Sequence, residues 1–281
     1  MNNLPIQLSS FIGRGREIAE VKRRLSESRL TTLTGAGGCG KTRLALQVAA
    51  DLVDSDQEGV WWIELAPLAD PTLVPQTVAM VLGVREQPDQ QILTSLVDYL
   101  RPKNTLLVLD NCEHLIEACA RFVEALLRAC ANLRILATSR EALNIPGESA
   151  WTVPSLSLPG VGQKHLTFTE LSQYEAVQLF VDRAVAVQPG FKLTELNAQT
   201  VAQVCQRLDG IPLAIELAAA RTKVLQSAEI ATRLDDRFNL LTAGSRTALP
   251  RHQTLRAAID WSYNLLSEPE RALLRRLSVF A

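Results

Sequence analysis

The chain has 281 residues with a hydrophobic share of 47%, and its 29 lysines and arginines nearly cancel 30 aspartates and glutamates to leave a net charge of -1. At roughly 150 residues per domain this allows one large or two modest domains with real cores, and it excludes disordered, collagen-like and low-complexity chains. The charge balance also excludes a whole-chain electrostatic footprint for nucleic acid, so no direct nucleic-acid binding is expected. Five scattered cysteines (Cys39, Cys112, Cys119, Cys130 and Cys205) form no CxxC pair and are odd in number. They argue for reduced thiols rather than a disulfide framework or a zinc knuckle. Met1 to Gln7 has no basic and apolar leader pattern, and no apolar run is long enough to span a bilayer, so a cytoplasmic protein without a membrane partner is expected.

In chain order, β-rich runs occur at Leu30 to Thr34, Val60 to Leu65, Thr105 to Asp110, Leu133 to Ser139 and Trp151 to Val153, separated by helical stretches. That rhythm predicts an α/β fold with a parallel sheet. Leu106-Leu107-Val108-Leu109 is continuously apolar, which suits a strand covered by helices on both faces. Leu44, Val48 and Leu52 recur at helical spacing after Lys41, as do Leu115, Cys119, Phe122, Val123 and Leu126 after the third strand. Past Pro159-Gly160-Val161-Gly162 the strand signals stop. Helical periodicity then runs through Ala176 to Val187, Val201 to Leu208 and Leu213 to Leu225, predicting an all-helical domain from about residue 165. From Pro250 two more amphipathic helices are expected. Leu255, Ala258, Ile259, Ser262, Leu265 and Leu266 face one way on the first; Ser267 to Glu270 reads as a capping box for the second, with Leu273, Leu274, Leu277 and Phe280 as its stripe. The expected boundaries are 1–164, 165–247 and 248–281, the last being the start of a winged-helix domain cut short. His165 and His252 are isolated and read as surface residues.

Gly35-Ala36-Gly37-Gly38-Cys39-Gly40-Lys41-Thr42 matches GxxxxGK[ST] between a β-run and a helix. In that context glycine amides wrap phosphates at a helix N-terminus, the lysine reaches the β and γ oxygens, and the threonine hydroxyl ligates magnesium. The phosphate-binding set is therefore Gly35, Gly37, Gly38, Cys39, Gly40, Lys41, Thr42 and Arg43. Asp110, at the end of an apolar strand, has the form of a Walker B carboxylate; with Thr42 it makes up the expected magnesium ligands. Asn111 stands where many P-loop ATPases carry a water-activating acid, and it cannot act as a base. Glu113 is near enough to substitute, or else is an acid favouring a helix start. Arg140 ends another buried strand, either reaching a γ-phosphate or capping the strand. Lys41, Asp110, Arg140 and Asn111 are thus the candidate catalytic positions.

These residues resemble the STAND or NB-ARC signalling ATPases, which include plant resistance proteins, the apoptotic protease-activating factor and large bacterial transcriptional regulators. The resemblance covers essentially the whole chain. Phe11-Ile12-Gly13-Arg14-Gly15-Arg16-Glu17 is similar to the family's hhGRxxE segment, which implies Ile12, Gly13 and Arg14 as adenine contacts. Ala137-Thr138-Ser139-Arg140 resembles the sensor-arginine strand. Asp209-Gly210-Ile211-Pro212-Leu213 resembles the GxP motif, whose proline, here Pro212, packs on adenine. Leu109-Asp110-Asn111-Cys112-Glu113-His114-Leu115 is most similar to bacterial ATPases joined to helix-turn-helix or cyclase modules. What the resemblance implies is a P-loop NTPase sandwich followed by a helical domain. It would bind ATP or ADP with Mg2+, hydrolyse slowly, self-associate in the ATP state, and work beside sensor and effector domains of a larger transcriptional regulator. The rival expectations are a turnover ATPase or kinase, against which Asn111 weighs, and a scaffold without nucleotide, against which intact Gly40, Lys41, Thr42 and Asp110 weigh.

Overall fold

The computed structural model describes residues 2–53, 58–86, 89–160, 166–234, 241, 263 and 268–278. The residues group into two compact units: Met1–Ala36 with Lys41–Pro154, and Gly37–Gly40 with Ser155–Ala281. The first unit runs α1 (Gly15–Glu27), β1 (Leu30–Thr34), α2 (Lys41–Leu52), β2 (Val60–Glu64), α3 (Val74–Leu82), α4 (Ile92–Leu100), β3 (Leu106–Asp110), α5 (Ile116–Ala129), β4 (Arg134–Thr138) and β5 (Glu148–Thr152). Its five strands form a parallel sheet in the order β2-β3-β4-β1-β5.

Parallel strands joined through helices bury both faces, which explains the unbroken apolar runs. Leu107 and Leu109 of β3 join the cluster formed with Val78 of α3, Leu96 of α4, and Phe122, Val123 and Leu126 of α5. The alternating positions Leu106 and Val108 are equally buried on the other face, where α2 packs on β3 and β4. Each such leucine contributes about 1.5–3 kcal/mol through removal from water. The open edge at β2 is closed by the N-terminal segment: the Asn3 amide donates to the Trp62 carbonyl at 2.9 Å and its Oδ1 accepts from the Trp62 N–H at 2.7 Å. An Asn side chain thereby stands in for a neighbouring strand's peptide group.

The strands lie where the β-rich runs placed them. β5 begins at Glu148 rather than Trp151, because an edge strand with only part of its surface buried carries polar residues that hide the pattern. Glu148 itself accepts from the backbone N–H groups of Leu143 (2.8 Å) and Asn144 (2.7 Å), fixing the loop behind Arg140.

Among its described residues the second unit is helical: α6 (Phe168–Ser172), α7 (Glu175–Val187), α8 (Glu195–Arg207), α9 (Pro212–Ala219), α10 (Ser227–Arg233) and α11 (Glu268–Leu277). Thr167 and Glu170 form the capping box of α6. Phe180 and Phe191 meet edge to face at 6.0 Å, and Arg183 of α7 pairs with Glu216 of α9 at 3.0 Å. Asp209 and Gly210 both take positive φ (53° and 66°) to make the sharp entry to α9, which Pro212 opens at its first position. A Cβ at Gly210 would lie 2.6 Å from the Leu156 carbonyl oxygen, so only glycine fits there. All five cysteines are buried thiols. No described helix is long and apolar enough to cross a membrane.

The winged-helix start is not established. Leu255, Ala258, Ile259, Ser262, Leu265, Leu266, Ser267 and Phe280 lie outside the described residues, as do His165 and His252. On α11, Leu273, Leu274 and Leu277 are exposed.

Candidate nucleotide site

The strand order decides which residues meet. β4 lies between β1 and β3, and the register sets Leu109 beside Ala137 and Leu33 beside Thr138. The loop after β1, the carboxylate ending β3 and the hydroxyl ending β4 therefore come together at the carboxyl edge of the sheet, where open α/β sheets bind ligands.

Gly35, Gly38 and Gly40 take φ of 136°, 82° and 94°, conformations that glycine adopts without strain, and the Gly35 N–H donates to the Arg140 carbonyl at 3.4 Å. Gly38 is close-packed besides: a Cβ there would lie 2.9 Å from Leu213 Cβ, whose own N–H donates to the Gly38 carbonyl at 3.2 Å. Lys41 begins α2, and its buried Nζ donates to the carbonyls of Gly35 (2.7 Å) and Ala36 (3.0 Å). The loop carbonyls thus hold the ammonium over the curve of the loop. Cys39 is buried in the loop and Gly37 is half-buried.

Asp110 is 5% exposed, and its Oδ1 accepts from the hydroxyls of Thr42 (2.8 Å) and Thr138 (2.6 Å). Burial pushes its carboxyl above the ordinary value, with Glu113 and Glu64 adding to the rise and the two hydroxyls working against it. Thr138 has a second role, because its Oγ1 also accepts from the Asn111 N–H at 3.0 Å. It was expected only as part of the sensor strand. A threonine ending a β-run looks like an ordinary β-former, so its role as the brace of Asp110 was hidden in the sequence.

Asn111 sits in the left-handed region (φ 69°) and is buried. Its Nδ2 lies 3.3 Å from Nδ1 of His114, whose Nε2 is 2.8 Å from the Leu68 carbonyl. A carbonyl oxygen can only accept, so Nε2 carries the proton and Nδ1 accepts from the amide. Sequence reading passed over His114; a 3-10 turn at Cys112–His114 brings it back onto residue 111. The same turn carries Glu113, which is therefore not at the start of α5. Glu113 instead faces Arg140, with Oε1 and Nε 3.4 Å apart.

Arg14 is the N-terminal cap of α1, in the left-handed region (φ 63°) and 3% exposed, preceded by half-buried Ile12 and exposed Gly13. Arg43 points back to this segment: its guanidinium donates to the carbonyls of Ser9 (2.9 Å) and Ser10 (2.8 Å) and lies 6.0 Å from the Phe11 ring. Gln47, one turn on, meets Gln7 at 3.3 Å. The exposed side of α2 thus holds the stretch that leads to Arg14. Pro212 belongs to the second unit, and the adenine contact implied for it rests on the resemblance alone.

These donors fit a magnesium nucleotide. A threonine hydroxyl and a carboxylate 2.8 Å apart are hard oxygen ligands, and Lys41 at the start of α2 carries the positive charge that phosphates need. Among the described residues no cluster of His, Cys, Asp and Glu suggests another kind of metal site.

A parallel sheet with this loop and carboxylate defines a P-loop NTPase fold. Residues 6–277 match the family described as novel STAND NTPase 1, and the chain belongs to that family. A Mycobacterium tuberculosis protein, provisionally named an HTH-type transcriptional regulator, is 48% identical over 256 residues, which is 91% of this chain and 27% of that one. A second M. tuberculosis protein, itself uncharacterised, is 46% identical over 274 residues, 98% of this chain and 66% of its own length. The chain thus spans about a quarter of the first relative and just under two thirds of the second. Among solved structures, a STAND protein with a tetratricopeptide repeat sensor from Pyrococcus horikoshii aligns with a TM-score of 0.51 at 15% identity, over 99% of this chain and 36% of that one. Drosophila ORC bound to DNA aligns with a TM-score of 0.54 at 14% identity, over 79% of this chain and 66% of that one. At such identities the likeness concerns the fold.

Proposed function

We propose that this chain is the nucleotide switch of a larger transcriptional regulator. It binds ADP and ATP with Mg2+, hydrolyses ATP slowly, and in the ATP state favours an open form that self-associates. The observation that carries this reading is Asp110, buried and aligned by Thr42 and Thr138, beside a residue that cannot take a proton. Lys41 and the amides of Gly37, Gly38, Cys39 and Gly40 would hold the phosphates, with Gly35 turning the chain into the loop. Thr42 and Asp110 would hold the ion, which when bound neutralises phosphate charge. Ile12, Gly13 and Arg14 would line the base, with Arg43 supporting them from α2, and Arg140 would respond to the third phosphate. Asn111, its amide engaged by His114, orients rather than deprotonates. Self-association and the output domains are suggested by family membership and by the HTH-type relative.

The test is to identify the nucleotide that co-purifies and to measure turnover. Bound ADP or ATP with turnover well below 1 per second supports the switch; faster steady-state turnover, within the usual enzyme range of about 1–1,000 per second, selects the turnover ATPase or kinase instead. A chain that binds neither nucleotide overturns both.

A further inference from the structure

We infer that Glu113 sets the preference of this site for ATP over ADP, by holding Arg140 in an ion pair that a third phosphate has to exchange. The inference rests on the nucleotide reading above and adds its regulation. Glu113 lies in the turn that follows β3 and Arg140 two residues past the end of β4, on adjacent strands. Their side chains are only 9% and 20% exposed, so water and salt screen the attraction poorly.

The pair is nevertheless incomplete. A well-formed charge-assisted bond between guanidinium and carboxylate spans about 2.7–2.9 Å. Here Nε and Oε1 are 3.4 Å apart, and among the described residues the buried Nε makes no hydrogen bond. Arg140 is thus kept near Glu113 by charge, with the bonding capacity of its Nε unspent. Glu113 lies close enough to Asp110 to interact with it electrostatically, as Glu64 does from another side. Arg140 brings a positive charge to this acidic edge through its approach to Glu113.

A triphosphate offers the guanidinium a terminal group with three acceptor oxygens that can take two parallel N–H bonds, which a diphosphate in the same loop does not extend far enough to supply. ATP therefore has to draw Arg140 away from Glu113, and ADP does not. Glu113 is a positioning residue here: it acts through Arg140, and the strength of its hold determines how much of the affinity for the third phosphate is lost in the exchange.

The experiment measures calorimetric affinities for Mg-ADP and for a non-hydrolysable Mg-ATP analogue in the wild-type chain, Glu113→Gln, Arg140→Ala and the double variant. Glu113→Gln is expected to tighten the analogue about tenfold, equivalent to 1.4 kcal/mol, and to change ADP less than twofold. Removal of a repelling charge alone would also tighten the analogue, so the deciding quantity is the coupling between the two residues. Arg140→Ala should cost the analogue about tenfold more affinity in the Glu113→Gln background than in the wild type, because only there is the guanidinium released from its carboxylate. Equal costs in the two backgrounds overturn the exchange. Should Glu113→Gln fold poorly, Glu113→Asp, which withdraws the carboxylate by one methylene, is expected to shift the ATP-to-ADP ratio the same way by a smaller factor; an unchanged ratio in a folded Asp variant overturns the inference as well. A wild-type chain that binds neither nucleotide refutes the underlying reading, a result distinct from bound nucleotides without coupling.

Discussion

The bodies of β3 and β4 and their carboxyl ends are built on opposite principles. Leu106, Leu107, Val108 and Leu109, with Ile135, Leu136 and Ala137, are fully buried among apolar neighbours. A few ångströms on, Asp110, Asn111, Thr138 and Ser139 are nearly as buried and polar throughout. The body has no groups left to satisfy. The end holds a carboxylate pushed toward its neutral form, an asparagine in the left-handed region and an arginine with an unbonded Nε. Polar and strained groups of this kind cost stability, and they persist where a ligand completes them. One pair of strands thus separates a stabilising core from the polar end where we propose that nucleotide binds.

The sharpest way to break that separation pits one substitution from each region against the other. Leu109→Ala leaves a cavity in the core and is expected to lower the unfolding free energy by about 2–5 kcal/mol in urea titrations. Lys41→Ala, at the ligand end, should abolish nucleotide binding in calorimetry and leave the urea midpoint nearly unchanged. If Lys41→Ala unfolds the chain instead, its bonds to Gly35 and Ala36 are structural and the two regions are not separable.

Next in size is Arg140→Ala. Loss of a charge-assisted bond should weaken ATP by about 1.5–3 kcal/mol and leave ADP almost untouched. Equal losses for both nucleotides by calorimetry would place Arg140 with the strand body, as a cap on β4.

The strand bodies were legible in the sequence because burial on both faces leaves an unbroken apolar run, and the phosphate loop because its glycines, lysine and threonine are required together at fixed spacing. The loop's partners at the strand ends were legible only in part. Asp110, Asn111 and Arg140 stood out as residue types that do not belong in a core. Thr138 did not, since threonine is common in strands; His114 did not, since only a 3-10 turn aligns it with Asn111. Glu113 was seen as a spare acid, but pairing with Arg140 depends on which strands are neighbours, and strand order is not a local property of the chain. The helices of the second unit showed as periodicity in Ala176 to Val187, whereas the short α6 and α10 were too brief to register.

A smaller effect follows from Asp110. Its carboxyl is raised above the ordinary value chiefly by burial, so the folded chain binds the proton more tightly than the unfolded one. Stability without nucleotide should therefore fall as pH climbs from the ordinary carboxylate range through the raised value. Asp110→Asn keeps an oxygen to accept from Thr42 and Thr138 and removes the charge. Thermal melts without nucleotide are expected to lose this pH slope and to gain about 1 kcal/mol near neutrality, the ordinary scale of a single substitution, while Mg-nucleotide affinity drops. A variant less stable than the wild type at every pH would show that the carboxylate is fully compensated where it lies.

A finer comparison separates the two duties of Asn111. Its backbone occupies φ 69°, which asparagine tolerates, glycine adopts freely and alanine resists. Its side chain meets His114. Asn111→Ala loses both duties and should cost about 1–3 kcal/mol, whereas Asn111→Gly relieves the backbone and loses the side-chain contacts, a cost of about 1 kcal/mol or less. The difference between the two in urea unfolding measures backbone strain at the strand end, and the residual loss in Asn111→Gly measures the side-chain contacts, that with His114 among them. Turnover adds a second comparison. If Asn111 only orients, Asn111→Gly and Asn111→Ala should alter slow hydrolysis alike, despite their different stabilities. A pair of variants whose turnover tracks stability instead would tie the strain itself to the chemistry, and the strand end would then be a device that uses its instability rather than one that tolerates it.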